Sequence, residues 1–201
     1  GLRLKIHSVG YAPGSFYVFQ QVYDADGNPI EGEYVDRNGD GVITDNDLYR
    51  YKNPVADVLM GFNSKFTYKN WDFGFNGRIS LGNYNFNATA ANAALGVNEL
   101  FGNNALSNKP TSVLRTGFQS RQRLSDYYIQ NASFLKIDNI TLGYNVDRFL
   151  VKGCNARFYA TVQNPIIITK YDGLDPEVND GMDNNVYPRP VTVLFGVNIN
   201  F

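Results

Sequence analysis

The feature that most constrains this chain is a strict two-residue alternation held over unusually long stretches. From Trp71 to Leu81, one parity reads Trp71, Phe73, Phe75, Gly77, Ile79 and Leu81, and the other Asp72, Gly74, Asn76, Arg78 and Ser80. Successive side chains of a strand point to opposite faces, so this pattern makes one face apolar and the other polar. The division recurs in Val58, Met60, Phe62, Phe66 and Tyr68 against Gly61, Asn63, Lys65 and Thr67, and in Ala156, Phe158, Ala160 and Val162 against Arg157, Tyr159, Thr161 and Gln163. The end of the chain repeats it, with Val191, Val193, Phe195, Val197, Ile199 and Phe201 opposed by Thr192, Leu194, Gly196, Asn198 and Asn200. Lys65, Arg78 and Arg157 all fall on the polar parity. That placement matters if the apolar face meets lipid, where an outward Arg or Lys at the bilayer midplane costs roughly 2–4 kcal/mol.

Between Phe134 and Val146 the parity slips, because Leu135 and Ile137 share one register and Ile140, Leu142, Tyr144 and Val146 the other. A β-bulge near Asp138-Asn139 would restore both sets to one face. Residues 15 to 23 form a further expected strand of ambiguous facing. About six strands result, over 15–23, 56–68, 71–84, 132–146, 155–166 and 190–201. Most match or exceed the roughly 9–11 residues of a tilted membrane-crossing strand, against about 5–6 for a typical globular one. Connections alternate: 24–55, 85–131 and 167–189 are long, whereas Lys69-Asn70 and Asp147 to Asn155 are short. Short periplasmic turns and long extracellular loops are the rule for outer-membrane barrels, which puts the C-terminus on the periplasmic side. The expectation is therefore an all-β fold, the strands of a large antiparallel transmembrane β-barrel. Six strands close no barrel, since the smallest takes about eight, so further strands must come from elsewhere. The alternative is a secreted, calcium-stabilised β-sandwich, a glycan-binding or adhesin module whose apolar face packs on a second sheet.

Composition narrows the function. Fourteen Tyr, fourteen Phe and 19 Gly in 201 residues suit strands and turns rather than helices. A net charge of −1 with no basic cluster leaves nothing to attract nucleic acid. Cys154 is alone, which rules out an internal disulfide. The mean hydropathy of −0.31 does not argue against a membrane, because alternating strands hide it from an average. Gly1-Leu2-Arg3 opens no export signal, so any such signal is expected upstream.

One segment carries metal-ligand spacing. Asp36-Arg-Asn-Gly-Asp-Gly-Val-Ile-Thr-Asp-Asn-Asp47 places oxygen donors at the first, third, fifth, ninth and twelfth positions of an EF-hand-like loop, with Gly41 sixth at the sharp turn. The candidate calcium ligands are Asp36, Asn38, Asp40, the Val42 carbonyl, Thr44 and Asp47. An Asp stands where a long bidentate Glu is usual and no amphipathic helices flank the loop, so a structural role is expected; Asn38-Gly39 and Asp40-Gly41 also read as two tight turns. No catalytic residue is expected. His7 is the sole histidine, no nucleophile-elbow pattern occurs, and Asp172, Asp175 and Glu177 read as solvated loop acids. Tyr171 and the Asn-rich residues 85–108 are expected to shape loops facing a partner or cargo.

Several phrases resemble the C-terminal part of SusC/RagA-type TonB-dependent receptors. They are Gly10-Tyr-Ala-Pro-Gly-Ser-Phe-Tyr17, Tyr34-Val-Asp-Arg-Asn-Gly-Asp-Gly-Val-Ile43, Ser125-Asp-Tyr-Tyr-Ile-Gln-Asn-Ala-Ser-Phe-Leu-Lys-Ile-Asp-Asn-Ile-Thr-Leu-Gly-Tyr144, Gln163-Asn-Pro-Ile-Ile-Ile-Thr-Lys-Tyr-Asp-Gly-Leu-Asp-Pro-Glu177 and Tyr187-Pro-Arg-Pro190. The resemblance implies a barrel of about 22 strands occluded by a plug. It further implies a SusD-like surface lipoprotein as lid, TonB contact through segments absent here, outer-membrane location, and import of oligosaccharide or peptide cargo. A terminal aromatic such as Phe201 is similar to the signal read during barrel assembly.

Overall fold

The structure, a computed structural model, describes residues 4–93, 110–120, 122, 124–149, 153–184 and 186–200. In chain order its strands are β1 (Lys5–Ile6), β2 (Ser15–Val18), β3 (Gln21–Tyr23), β4 (Pro29–Tyr34), β5 (Tyr49–Tyr51), β6 (Val58–Tyr68), β7 (Trp71–Leu81), β8 (Tyr84–Phe86), β9 (Ile129–Asn131), β10 (Phe134–Val146), β11 (Asn155–Thr169) and β12 (Thr192–Asn200). Among the described residues between β8 and β9 lie two short helices, α1 (Ala88–Ala93) and α2 (Ser112–Thr116). Phe201, most of the Asn-rich segment and the opening Gly1-Leu2-Arg3 lie outside the described residues. The chain divides into two compact units. One comprises Ala56–Gly82, Ser133–Lys170 and Pro188–Phe201, the other Gly1–Val55, Asn83–Ala132 and Tyr171–Tyr187.

The first unit is one antiparallel sheet in the order β12-β11-β10-β7-β6. Its strands run 9 to 15 residues, as the alternation predicts. β6 and β7 join through Lys69-Asn70, with Tyr68 opposite Trp71 and Lys69 at φ +51, the left-handed conformation a two-residue hairpin needs. The expected bulge is present. Register shifts between Ile137 and Asn139 against both neighbours, so Asp138 is the extra residue relative to the adjacent Asn76 and Gly77. The shift puts Ile137 opposite Gly77 and Ile140 opposite Phe75, keeping both isoleucines on the apolar side. A second irregularity was not foreshadowed: across from Asp138, β11 carries the pair Asn164-Pro165, with Asn164 at φ +51. Proline has no ladder N–H to offer, so a bulge is one of the few places a strand tolerates it.

The apolar parity is open. Phe66 is 58% exposed, Phe195 82% and Leu142 45%, with Met60, Trp71, Phe73, Tyr144, Phe158, Val193, Val197 and Ile199 also exposed. A sandwich would bury this face against a second sheet; here its side chains are bare, which is how a lipid-facing wall looks without lipid. Phe66 and Phe73 stack with centroids 6.3 Å apart. Near the short hairpin Trp71 packs on Tyr144 at 4.7 Å, beside exposed Tyr68, an aromatic cluster of the kind that rims membrane barrels.

The second unit collects the residues before β6 and two of the long connections, with a small core of its own. Its sheets are short: β1-β2-β5, β3-β4 and β8-β9. Phe16 and Val18 are wholly buried, and Tyr128, Ile129, Phe86, Leu124, Ala88 and Ala91 pack with them. Residues 15–23, expected as one long strand, are two short ones broken at Phe19-Gln20, where Phe19 bridges to Ser125 instead. Among the described residues the long sheet therefore has five strands rather than six. The physical reason is burial on both sides: adjacent Ser15 and Phe16 are both buried, which leaves no facing to read. Side chains tie distant segments together. The Glu31 carboxylate accepts from the Gln119 and Ser120 amides and the Ser120 hydroxyl, and Asp126 accepts from the Gln21 amide at 3.0 Å and the Tyr49 hydroxyl at 2.6 Å.

Candidate functional site

The six loop residues with metal-ligand spacing form a tight winding built on their own backbone. Asp36 accepts from the Gly39 and Gly41 amides, each at 2.7 Å. Asn38 Oδ1 accepts from Asp40 N, while Asn38 Nδ2 donates to Asp40 Oδ2 at 2.8 Å. Asp40 Oδ1 takes the Val42 amide. Asp47 is fully buried, with Oδ1 accepting from Arg37 N at 2.9 Å and Oδ2 from Thr44 N at 2.8 Å. Thr44 and Asp47 thus form a capping box around a single 3-10 turn, Asp45–Asp47, a role for the twelfth position that the metal spacing does not suggest. These amides, that of Thr44 above all, hold the Asp47 carboxyl below the usual carboxylate range, despite its burial. Gly41 sits at φ +81, where only glycine is unstrained. Among the described residues no group of three or more His, Cys, Asp or Glu is gathered as a metal-holding cluster. The loop's one cationic side chain turns away, Arg37 donating to Gln20 and stacking on the Tyr49 ring at 4.5 Å.

The expected solvated acids divide. Asp172 is exposed, but Asp175 is buried and accepts from the Glu177 amide at 2.8 Å. A residue with no sequence signal, Asp183, is wholly buried behind Tyr171, whose hydroxyl donates to it at 3.0 Å while Leu174 N donates at 2.8 Å. Burial, with Asp183 alongside, pushes the Tyr171 hydroxyl well above its usual range. The acidic stretch is a folding device rather than a pair of reacting carboxylates.

On the sheet, the polar parity carries two forked ion pairs. Arg78 forms two parallel bonds to Asp138, at 2.9 and 2.8 Å, which pins the bulge residue to the polar face. Arg157 does the same with Asp72, which also accepts from Asn145. Such forked pairs fix geometry more firmly than a lysine contact would. Tyr159 lies flat over Gly196, where an added Cβ would come within 2.2 Å of the ring.

No family model matches the chain. It is 51% identical to the TonB-dependent receptor SusC of Bacteroides thetaiotaomicron over 205 aligned positions, which cover 99% of the chain and 20% of that receptor. The chain belongs to the SusC/RagA-type TonB-dependent receptors. TonB-dependent receptor P3 of Formosa agariphila is 29% identical over 95% of the chain and 21% of its own length. Among solved structures, the RagAB peptide transporter superposes with a TM-score of 0.72 at 21% identity, over 92% of this chain and 22% of that one. The RagAB peptide importer in its open-open state gives 0.73 over 98% and 23%. At that identity the likeness concerns the fold, and it bears out the strands of an outer-membrane receptor barrel. The chain spans about a fifth of the length of the receptors it matches. The curated relatives are TonB-dependent receptors rather than enzymes, and the chain matches a part of such a receptor.

Proposed function

We propose that this chain is the C-terminal part of an outer-membrane importer of oligomeric nutrients, oligosaccharides or peptides, driven through TonB and working with a SusD-like surface lipoprotein. The remaining strands, the plug and the TonB-contacting segment belong to the same receptor outside this stretch. The observation that carries the reading is the five-stranded sheet whose apolar parity is exposed while its charged side chains lie on the opposite parity. Water would penalise that face and lipid would not. The strand ends at Val58, Leu81, Phe134, Thr169 and Thr192 share one side of the sheet and lead into long connections, whereas the other side has short turns; the long connections are thus extracellular and the C-terminus periplasmic. The test is membrane fractionation of the native protein with heat-modifiable gel migration. A detergent-dependent outer-membrane species supports the importer, and a soluble 22.5 kDa monomer overturns it.

For the loop we infer calcium, held by Asp36, Asn38, Asp40, the Val42 carbonyl, Thr44 and Asp47. The support is the all-oxygen donor set at calcium-loop spacing. The ion would neutralise the carboxylates and stiffen an extracellular loop. Calorimetry on the folded receptor should give calcium binding that Asp36→Ala abolishes; no heat from the unmodified protein removes the ion from the account.

A further inference from the structure

On the exposed face of the long sheet, differences in side-chain size make a hollow. Ala160 stands directly opposite Leu142 on one neighbouring strand and Phe195 on the other, so a methyl group is flanked by two large side chains. Trp71, Phe158 and Val197 continue the walls, and the hollow has a volume of 530 Å³, within the roughly 300–1,000 Å³ of small-ligand sites. We propose that it binds one anionic phospholipid of the periplasmic leaflet, with an acyl chain over Ala160 and the headgroup phosphate at Lys69 and Arg148.

Position and charge both point to that occupant. The hollow lies toward the end of the sheet with the short turns. Trp71 directly follows Lys69-Asn70, and Asn145 N donates to the Asn70 carbonyl at 2.8 Å, which ties this turn to the end of β10. The charged residues of β6, β7, β10, β11 and β12 all fall off the exposed parity, so the apolar surface runs unbroken to these turns. There the first cations appear. Lys69 Nζ sits over the Tyr68 ring, 5.4 Å from its centroid, and Tyr68 is exposed on the apolar parity, which holds the ammonium on the lipid side of the wall. Arg148 is exposed and precedes Phe149, whose ring packs edge-on at 5.5 Å against Phe158, a wall of the hollow. Asp147 is the one acid among the described residues of these turns, so cations outnumber acids at the rim. An apolar trough that ends in surplus positive charge matches an acyl chain that ends in an anionic headgroup. A neutral lipid would fill the trough and leave the cations unused.

The inference deepens the importer reading and rests on its membrane-embedded barrel. The experiment uses the complete receptor in nanodiscs of phosphatidylglycerol and, separately, of phosphatidylcholine, whose headgroup carries no net charge. Structure determination should show an ordered chain over Ala160 and a phosphate at Lys69 and Arg148 with phosphatidylglycerol, and no ordered lipid there with phosphatidylcholine. Lys69 and Arg148 both have positive φ, which asparagine accepts, so Lys69→Asn with Arg148→Asn removes the charges and keeps the turns. By native mass spectrometry that double variant should retain about one phosphatidylglycerol fewer per receptor than the unmodified protein. Ala160→Phe, which fills the trough from an outward position, should do the same while heat-modifiable migration is unchanged. Equally ordered lipid in both nanodiscs overturns the proposal, because the headgroup is then not recognised. So does the absence of ordered lipid in a receptor that still fractionates with the outer membrane, an outcome that leaves the importer reading intact. A receptor soluble without detergent fails the importer reading itself, before any lipid is added.

Discussion

The two units bury their apolar residues in opposite directions. In the connection unit Phe16 and Val18 are sealed inside, whereas in the long sheet Phe66 and Phe195 of the same chemistry stand outside. One obeys the hydrophobic effect in water, and the other presumes a solvent that is itself apolar. Composition cannot separate them; strand length and period can. A strand buried on one side alternates, while a short strand enclosed on both sides does not.

The comparison breaks most readily at the sealed core. Phe16→Ala should cost about 3–5 kcal/mol through lost contacts and the cavity left behind, read as loss of protease resistance in residues 1–55 and 83–132. The long sheet should keep its heat-modifiable migration in that variant; if both units fail together, they are not independently stabilised.

A charge sharpens the contrast from the other side. Leu142→Arg, on the bare face, should cost on the order of 2–4 kcal/mol in a membrane-embedded receptor. Leu114→Arg, on an equally bare residue of the connection unit at 90% exposure, should stay within about 0.5 kcal/mol. Denaturant titration of the receptor in lipid measures both. Equal effects would mean the apolar face of the sheet does not meet lipid. Of intermediate size is Gly196→Ala, where the new Cβ meets the Tyr159 ring at 2.2 Å, an overpacking of about 1–3 kcal/mol; Tyr159→Ala should suppress it.

What could be read ahead of the structure follows from the same contrast. The bulge at Asp138 was legible because the apolar parity inverts between Leu135 and Ile137 on one side and Ile140, Leu142, Tyr144 and Val146 on the other, and inversion on a one-sided strand has one cheap remedy. The bulge at Asn164-Pro165 was not, because two extra residues leave the parity of Val162 and Ile166 unchanged. Residues 15–23 read as a strand on propensity, yet their break at Phe19-Gln20 depends on Ser125 and Asp126, which lie about a hundred positions away in the sequence. For the loop, spacing names six oxygen donors but not what each of them does: Asp47 has the spacing of a ligand and the geometry of a cap. Asp183 carried no signal at all, since its partners Tyr171 and Leu174 meet it only after the connection has folded.

The smallest effect concerns that cap. Asp47 keeps its carboxyl below the ordinary range because folded backbone amides, first that of Thr44, stabilise the anion. An unfolded Asp titrates near about 3.9, so the folded form binds its proton less tightly than the unfolded one. The stability this contributes is fully present above the unfolded value and is lost as pH falls through the lower folded value. Proteolysis of the 36–47 segment should therefore be slow and flat from neutral pH down to mild acid, and should accelerate only in strong acid. Asp47→Asn removes the titration and one set of charge-assisted bonds, so the segment should be cut faster at neutral pH with no acid step of its own. Calcium adds a second reading of the same curve. An ion at the loop would slow cleavage of the unmodified protein at neutral pH and be expelled by acid, whereas Asp47→Asn should show little response to it. If added calcium changes neither rate, the loop is held by its own hydrogen bonds, and the Asp47 carboxylate is accounted for by the Arg37, Asn38 and Thr44 amides without a metal.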